Sequence, residues 1–148
     1  MEITLNWLGP FKQPIETPQN LHGKHGVYAI EYKLKILYIG KAETSSLLPQ
    51  AKTHSNAIVE YLRIKGDIPI NWSHLQAREF VEERCKIYIA VLSNNQLSLI
   101  DCVERCLIFS YQSRINKSHK NKYDCIHSIQ LNHTGKPPKS FHAENACA

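Results

Sequence analysis

Two tyrosines lie at matching ends of a short apolar segment, in the stretches G-V-Y at 26–28 and Y-I-G at 38–40. The polar residues Y-K-L-K between the stretches predict a β-hairpin turn. If that turn centres on Lys33, Tyr28 lies directly across from Tyr38, and opposite residues of an antiparallel pair point to the same face. Most tyrosines in strands pack in a core, so chemistry at these two phenols requires further groups on that face.

Glu104 is the second residue that core packing does not explain. It belongs to the clearest predicted helix, at 94–113, and it shares a face with four apolar residues, Ile100, Leu107, Ile108 and Tyr111. Cys102 and Cys106 are predicted to point off that face. An ionised carboxylate in an apolar stripe costs several kcal/mol unless it has a partner. A buried salt bridge with an arginine of the segment E-E-R-C and a metal-binding carboxylate at the rim of a cleft both meet that requirement.

Composition limits the classes of protein to which the chain can belong. It has 148 residues, of which 43% are hydrophobic and 21% charged, and this is ordinary for a globular protein and argues against disorder. No apolar run is long enough to span a bilayer, and the first residues lack the pattern of a secretory signal. The formal net charge of +5, with eight histidines besides, suggests a polyanionic partner. We expect a cytoplasmic protein with no membrane partner.

The cysteines give a further indication of compartment. Five is an odd number, and they have no paired spacing, which favours reduced thiols in a cytosol over a disulfide framework. The nearest candidates for metal ligands are Cys102 with Cys106 and Cys125 with His127. Neither pair has the spacing of a zinc site, so a structural zinc ion is not expected.

Strands and helices are predicted in an order that would position these side chains. Strands are predicted at Gly26–Tyr32, Ile36–Ile39 and Cys85–Ser93. A helix is predicted from His54, with an apolar stripe formed by Ile58, Tyr61 and Leu62. Residues 43–53 contain a proline and would form at most a short helix, and residues 70–84 are ambiguous between a loop and an amphipathic helix.

This order of elements predicts an α+β fold, with a small, largely antiparallel three-stranded sheet flanked by helices and with N- and C-terminal extensions. We expect one domain over residues 1–148, with its core at about 24–118. Residues 1–23 are predicted to be an extended arm. Residues 119–148 are predicted to hold a short strand at 125–131, a turn at N-H-T-G and a tail.

Residues at five places together resemble the signature of the GIY-YIG nucleases. Gly26-Val27-Tyr28 and Tyr38-Ile39-Gly40 resemble the two halves of the motif that names the family. His54 resembles the histidine or tyrosine on the family's first helix, and V-E-R-C-L-I-F-S-Y-Q-S-R-I-N resembles the later glutamate and asparagine with Glu104 and Asn116. The resemblance spans residues 26–116. It implies cleavage of phosphodiester bonds in nucleic acid, and it accounts for Glu104, because the family's glutamate is its metal ligand.

The chain departs from the family pattern in two places. Family members usually carry an arginine ahead of the helix histidine, where this chain offers only Lys41 and Lys52. Arg63 comes nine residues after His54, and a helix would point it away from the site. A proline that is common before the family's asparagine is replaced by Ser113 and Arg114.

The resemblance implies one divalent cation, Mg²⁺ or Mn²⁺, held by Glu104 and otherwise by water and phosphate oxygens. Tyr28 would accept a proton from the attacking water or position that water. A phenol is a poor base at neutral pH unless a cation favours its phenolate, and Lys41 is the expected cation.

The remaining site residues are assigned in the same way. Tyr38 would orient the water or a phosphate oxygen. His54 would hydrogen-bond the phosphate or share the proton transfer, although it could also be an ordinary helix histidine. Asn116 would hold the Glu104 region or a backbone carbonyl in register, although it could also be an ordinary turn asparagine.

Basic residues that follow the predicted helix would contact the backbone of the nucleic acid, most simply double-stranded DNA. With Lys52, the expected contacts are Arg114, Lys117, Lys120 and Lys122, beside which His119 also lies. A basic run is often only a solvated loop. Two other functions stay open: a nucleic-acid-binding module in which catalysis is weakened by the missing arginine, and a protein-interaction domain that keeps only the fold.

Overall fold

A computed structural model describes residues 1–12, 21, 23–42 and 54–148. The α+β class is confirmed. The strands and helices, numbered in chain order, are β1 (Glu2–Phe11), β2 (Gly26–Tyr32), β3 (Lys35–Ala42), α1 (Ser55–Lys65), α2 (His74–Arg84), β4 (Lys86–Val91), α3 (Ile100–Tyr111), β5 (Ile129–Gly135) and β6 (Glu144–Cys147). A 3₁₀ helix over Asn94–Leu99 leads into α3. None of the helices in these ranges is long and apolar enough to cross a membrane.

The sheet has six strands rather than the three that the sequence predicts. Their order is β3-β2-β4-β1-β5-β6, and β1 pairs in parallel with β5 while the other neighbours are antiparallel. The first part of the predicted N-terminal arm forms β1, which lies between β4 and β5. Ile3, Leu5 and Trp7 alternate into the core, and Pro10 is tolerated because it falls where the β1–β4 register shifts.

The C-terminal elements also differ from the prediction. The N-H-T-G stretch expected to be a turn belongs to β5, because its backbone pairs with β1. Asn132 and His133 are polar residues in a strand, yet each has a side-chain partner, Glu2 and Trp7 respectively. The expected tail contains β6, which pairs with β5.

Helices cover both faces of the sheet. On one face α3 packs over Val27, Ala29 and Ile39. On the other face α1 and α2 pack over a cluster that includes Tyr28 and Ile30. The ambiguous segment at 70–84 contains α2, which begins with a capping box formed by Ser73 and Gln76.

Four cysteines are paired, which corrects the expectation of reduced thiols. Disulfides join Cys102 to Cys125 and Cys106 to Cys147, and Cys85 is a buried free thiol. The partners are 23 and 41 residues apart in the sequence. Only the return of the chain over α3 brings them together, so their spacing carried no signal.

Candidate active site

The β2–β3 hairpin places Tyr28 and Tyr38 on one face of the sheet, as expected, but not directly opposite each other. Tyr28 pairs with Gly40, and Tyr38 pairs with Ile30. The turn centres between Lys33 and Leu34 rather than on Lys33, which moves the pairing by one residue, and Leu37 adds an extra residue to β3, which moves it by one more. The two phenols are therefore diagonal neighbours, within reach of each other on the shared face.

Gly40 makes room for the Tyr28 ring. A β-carbon added at Gly40 would overlap the ring and hydroxyl of Tyr28. The Tyr28 ring can therefore lie flat over the opposite strand, where it stacks with Tyr38 at 6.1 Å between ring centroids and 28° between ring planes. The glycine of the Y-I-G stretch is needed here because of this close approach, while its position in a regular strand requires no special backbone angle.

His54 completes an aromatic cluster with the two tyrosines. It immediately precedes α1, and its ring lies 3.9 Å from that of Tyr38 between centroids. Its Nε2 is 2.7 Å from the Tyr28 hydroxyl. The phenol is the donor in this hydrogen bond in the neutral tautomer that carries its proton on Nδ1. The predicted site histidine therefore contacts both predicted tyrosines.

Burial sets the protonation of this cluster. It raises the pKa of Tyr28 well above the ordinary value of a tyrosine, and the nearby Tyr38 and Glu104 raise it further. Burial and the charge of Glu104 also raise the pKa of Tyr38. Burial lowers the pKa of His54 below the ordinary value of a histidine. Near neutral pH the cluster thus consists of two neutral phenols and a neutral imidazole that can accept a proton.

Glu104 lies in a cleft with Tyr38, at the edge of the sheet. The cleft has a volume of about 370 Å³, and its polar lining comes from Tyr38, Glu104, Asn116, Lys117, Ser118 and His119. Tyr28 is almost fully buried behind this lining, at 1% exposure, rather than in it. The expectation that both phenols line one cleft is correct for Tyr38 only.

The position of Glu104 on α3 also differs from the helix-wheel expectation. Cys102 and Cys106, expected off the apolar face, are buried at 4% and 0% exposure, because their disulfide partners cover that side of the helix. Glu104 is half-buried at the margin of the buried face rather than at its centre. The alternative partner, Arg84 of the E-E-R-C segment, places its guanidinium over the Phe80 ring.

Asn116 fixes the strand that carries Tyr38. Its Oδ1 accepts a hydrogen bond from the Ile39 N–H at 2.8 Å, and its Nδ2 donates to the Ile39 carbonyl at 2.9 Å. The prediction that Asn116 holds a backbone carbonyl is confirmed. The buried Ser113, which the sequence analysis did not select, donates to the same Oδ1 and orients the amide.

Backbone hydrogen bonds continue this contact along the edge of β3. The Arg114 N–H donates to the Ile36 carbonyl at 3.1 Å, and the Ile115 N–H donates to the Leu37 carbonyl at 2.8 Å. The segment after α3 therefore lies along the outermost strand of the sheet, where it satisfies backbone groups that an edge strand leaves open.

Lys41 does not occupy its predicted place. It pairs with Val27 across the hairpin, so it starts from the face opposite to Tyr28, and its ammonium donates to the Asp101 carboxylate on α3. The hydrogen bond from Lys41 is the main cause of a lowered pKa at Asp101. The expected contact between Lys41 and the Tyr28 phenolate is corrected to an ion pair that joins β3 to α3. Asp101 was missed, although it precedes Glu104 by one helical turn.

Only some of the basic residues after α3 line the cleft. Lys117 and His119 line it, whereas Arg114 and Lys122 are exposed outside the lining. Lys120 is half-buried, and its carbonyl accepts a hydrogen bond of 2.7 Å from the Gln112 side chain. Lys52 and the expected short helix at 43–53 fall outside the described residues.

The donor set of the cleft fits a hard cation that keeps most of its water. Within the described ranges, no group of three or more histidine, cysteine or acidic side chains could enclose a metal ion. Glu104 is the carboxylate in the lining, beside the hydroxyl oxygens of Ser118 and Tyr38, while the amide oxygen of Asn116 already accepts from the Ile39 N–H and from Ser113. Mg²⁺ binds through one or two carboxylates and retains waters, so this site suits it, whereas Zn²⁺ requires a fuller set of ligands.

No protein-family model matches the chain, and no curated protein or solved structure shows a significant match to it. An assignment of function therefore depends on the site itself.

Proposed function

We propose that the protein is a metal-dependent endonuclease of the GIY-YIG type, which hydrolyses phosphodiester bonds in DNA. The observation that carries the proposal is the contact of Tyr28, Tyr38 and His54 in one cluster next to the Glu104 cleft. These four side chains come from β2, β3, the start of α1, and α3. Core packing alone gives no reason for a histidine, two phenols and a carboxylate to meet at one sheet edge.

Glu104 would hold Mg²⁺ or Mn²⁺ in this proposal. A bound divalent cation would neutralise charge on the scissile phosphate and on the leaving oxygen. Glu104 is well placed for this role, because it is half-buried and opens to a cleft that can admit a phosphate.

Tyr28 and His54 would move the proton of the attacking water. Tyr28 is a neutral phenol, and its hydroxyl lies 2.7 Å from Nε2 of His54, to which it would donate in the His54 tautomer protonated on Nδ1. Because Tyr28 is 1% exposed and lies outside the cleft lining, the attacking water would have to reach its oxygen past Tyr38. As the water attacks phosphorus, its proton would pass to the Tyr28 oxygen while the Tyr28 proton passes to His54, which becomes an imidazolium. This relay needs no free phenolate, and a neutral imidazole is a better match to neutral pH than a buried phenol.

Tyr38 and Asn116 would position the substrate. The raised pKa of Tyr38 keeps its hydroxyl protonated, so it can donate a hydrogen bond to a phosphate oxygen or to the attacking water. Asn116 would hold this strand at the correct distance from Glu104 through its two hydrogen bonds to Ile39.

Double-stranded DNA is the proposed substrate, because basic side chains continue along the edge beyond the cleft. Arg114, Lys117, Lys120 and Lys122 would contact phosphates and set the position of the duplex without reading its sequence. Lys52 is proposed as a further contact of this kind.

The direct experiment is incubation of the purified protein with supercoiled plasmid. We expect relaxed, nicked plasmid with Mg²⁺ or Mn²⁺ and none with a chelator. The absence of cleavage of DNA with either metal would overturn the proposal.

A second candidate is a nucleic-acid-binding module on the same fold with weakened catalysis. The observation in its favour is the position of the arginine nearest to His54: the Arg63 guanidinium donates to the Trp72 carbonyl at 3.1 Å, on the far side of α1. The basic residues of the described cleft lining are Lys117 and His119, and a lysine cannot hold a phosphate in bidentate fashion. Tight binding of duplex without cleavage would decide for this candidate.

A further inference from the structure

A second cleft opens on the same edge of the sheet, beside the turn of the β2–β3 hairpin. It has a volume of about 320 Å³. Four cationic side chains line it, against the single carboxylate of Asp67: Lys33, Lys35, Lys65 and Arg114. These residues come from the hairpin, from the end of α1 and from the segment after α3, so only the fold brings them together.

Three of the four cations have no carboxylate partner among the described residues, and one of them, Lys65, lies 5.8 Å from the centroid of the Tyr61 ring. Lys33 lies 4.0 Å from Asp67 and is partly neutralised by it. Within the described ranges, no carboxylate lies within salt-bridge distance of Lys35, Lys65 or Arg114. Uncompensated cations that converge on a concave surface raise the local concentration of anions.

Residues that line the second cleft are close in the sequence to residues that line the Glu104 cleft. Leu37 and Arg114 line the second cleft, while the adjacent Tyr38 and the nearby Asn116 and Lys117 line the first. The hydrogen bond from the Ile115 N–H to the Leu37 carbonyl joins the two segments at this boundary. One to three residues at about 3.3 Å each separate residues that line the two clefts, and this spacing corresponds to about one to three nucleotides along one DNA strand.

We propose that this second cleft binds the sugar–phosphate backbone of the DNA whose cleavage is assigned to the Glu104 site, about one to three nucleotides from the scissile bond. The inference rests on the proposed function for the identity of the ligand. It assigns Lys35, Lys65 and Arg114 as phosphate contacts, of which the sequence analysis had selected Arg114 alone.

Binding of a fluorescently labelled 20-base-pair duplex in the presence of a chelator tests the proposal without any cleavage. The triple variant Lys35→Gln, Lys65→Gln, Arg114→Gln keeps an unbranched polar side chain at each position and removes three charges. Each lost phosphate contact reduces the slope of log affinity against log salt by about 0.9, so we expect a slope shallower by about 2 to 3 than that of the parent. Lys33 is left unchanged because it pairs with Asp67.

The matched control is the triple variant Lys24→Gln, Lys136→Gln, Lys139→Gln, which removes the same charge from exposed residues that line neither cleft. We expect it to keep the slope of the parent. Thermal unfolding followed by circular dichroism verifies that both variants fold. Equal slopes in the two triple variants would overturn the proposal, and so would a parent that binds no duplex.

Plasmid nicking by the same proteins separates this proposal from the proposed function. If the parent nicks plasmid and the second-cleft variant keeps the salt slope of the parent, the proposal for the second cleft is wrong and the proposed nuclease function is supported. If the parent does not nick plasmid and the second-cleft variant still has a shallower salt slope than the parent, the proposed nuclease function is wrong and the second cleft is supported as a DNA contact.

Discussion

Tyr28 and His54 are joined by a hydrogen bond of 2.7 Å, and burial affects their pKa values in opposite directions. Burial penalises the charged form of each group, so the phenol resists losing its proton and the imidazole resists gaining one. The pair is therefore neutral and able to pass a proton only when a stronger acid, such as an attacking water near a cation, supplies it. At the scale of single residues, this coupling is what distinguishes Tyr28 from an ordinary core tyrosine.

Tyr28→Phe removes one hydroxyl from this pair and keeps the ring over Gly40. We expect the rate of plasmid nicking to fall by about 100-fold or more, as is typical when a proton-transfer group is removed. Tyr123→Phe is the matched control, since it removes a hydroxyl that donates to the His127 carbonyl outside the cluster. Equal rates of nicking by Tyr28→Phe and the parent would show that the Tyr28 hydroxyl takes no part in the mechanism.

The pH dependence of nicking follows from His54. Its pKa is lowered by burial from an ordinary value of about 6.5, so the imidazole becomes protonated only at a pH below that value. Protonated His54 cannot accept the relayed proton, and the rate should therefore fall as the pH decreases, with a midpoint below 6.5. His54→Gln should abolish this acid limb, whereas His74→Gln, at an exposed position, should preserve it. A midpoint above 6.5, or a limb that persists without His54, would contradict the assignment.

At the scale of elements, the site depends on how the segment after α3 is attached to β3. Asn116 binds both backbone groups of Ile39, and the backbone of residues 114 and 115 binds the carbonyls of Ile36 and Leu37. This attachment sets the distance between Tyr38 on the strand and Glu104 on the helix. Lys41 and Asp101 add a second connection between the same two elements.

Asn116→Ala tests the attachment. It removes two hydrogen bonds and leaves the backbone groups of Ile39 without them, so the free energy of unfolding should fall by about 1–3 kcal/mol. The rate of nicking should fall by more than the loss of stability explains, because Tyr38 and Glu104 lose their fixed separation. The exposed Asn71→Ala is the control in urea unfolding and in nicking assays. An Asn116→Ala protein with the stability and the rate of the parent would show that the amide positions nothing.

At the scale of the whole molecule, the C-terminal segment stabilises α3 through two disulfides and the β5–β6 pair. We expect titration of the unreduced protein in denaturant to detect one thiol, that of Cys85, and titration after reduction to detect five. Reduction should also lower the free energy of unfolding, by about 2–4 kcal/mol for each bond. Five thiols without reduction would contradict the pairing.

Local patterns predicted much of the site but not the surrounding sheet. The hairpin, the helix after His54 and the helix that carries Glu104 all follow from periodicity and turn residues within a few positions. Strand β1 was not predicted because the three prolines between residues 10 and 18 favour an extended arm with turns. The alternation of Ile3, Leu5 and Trp7, which are buried in the structure, is the signal that indicates the strand. The disulfides, the Lys41–Asp101 pair and the second basic cleft depend on contacts between distant segments, and spacing in the sequence does not encode these.

The measurement that tests the central claim most directly is Mg²⁺-dependent nicking of supercoiled plasmid by Glu104→Gln beside the parent. The substitution keeps the shape of the side chain and removes the charge that would hold the cation. The exposed Glu83→Gln is the matched control. We predict nicking by the parent and by Glu83→Gln, none by Glu104→Gln, and the same fold in all three by circular dichroism. Nicking by Glu104→Gln at the rate of the parent would contradict the assignment of Glu104 as the metal ligand and, with it, the proposed site.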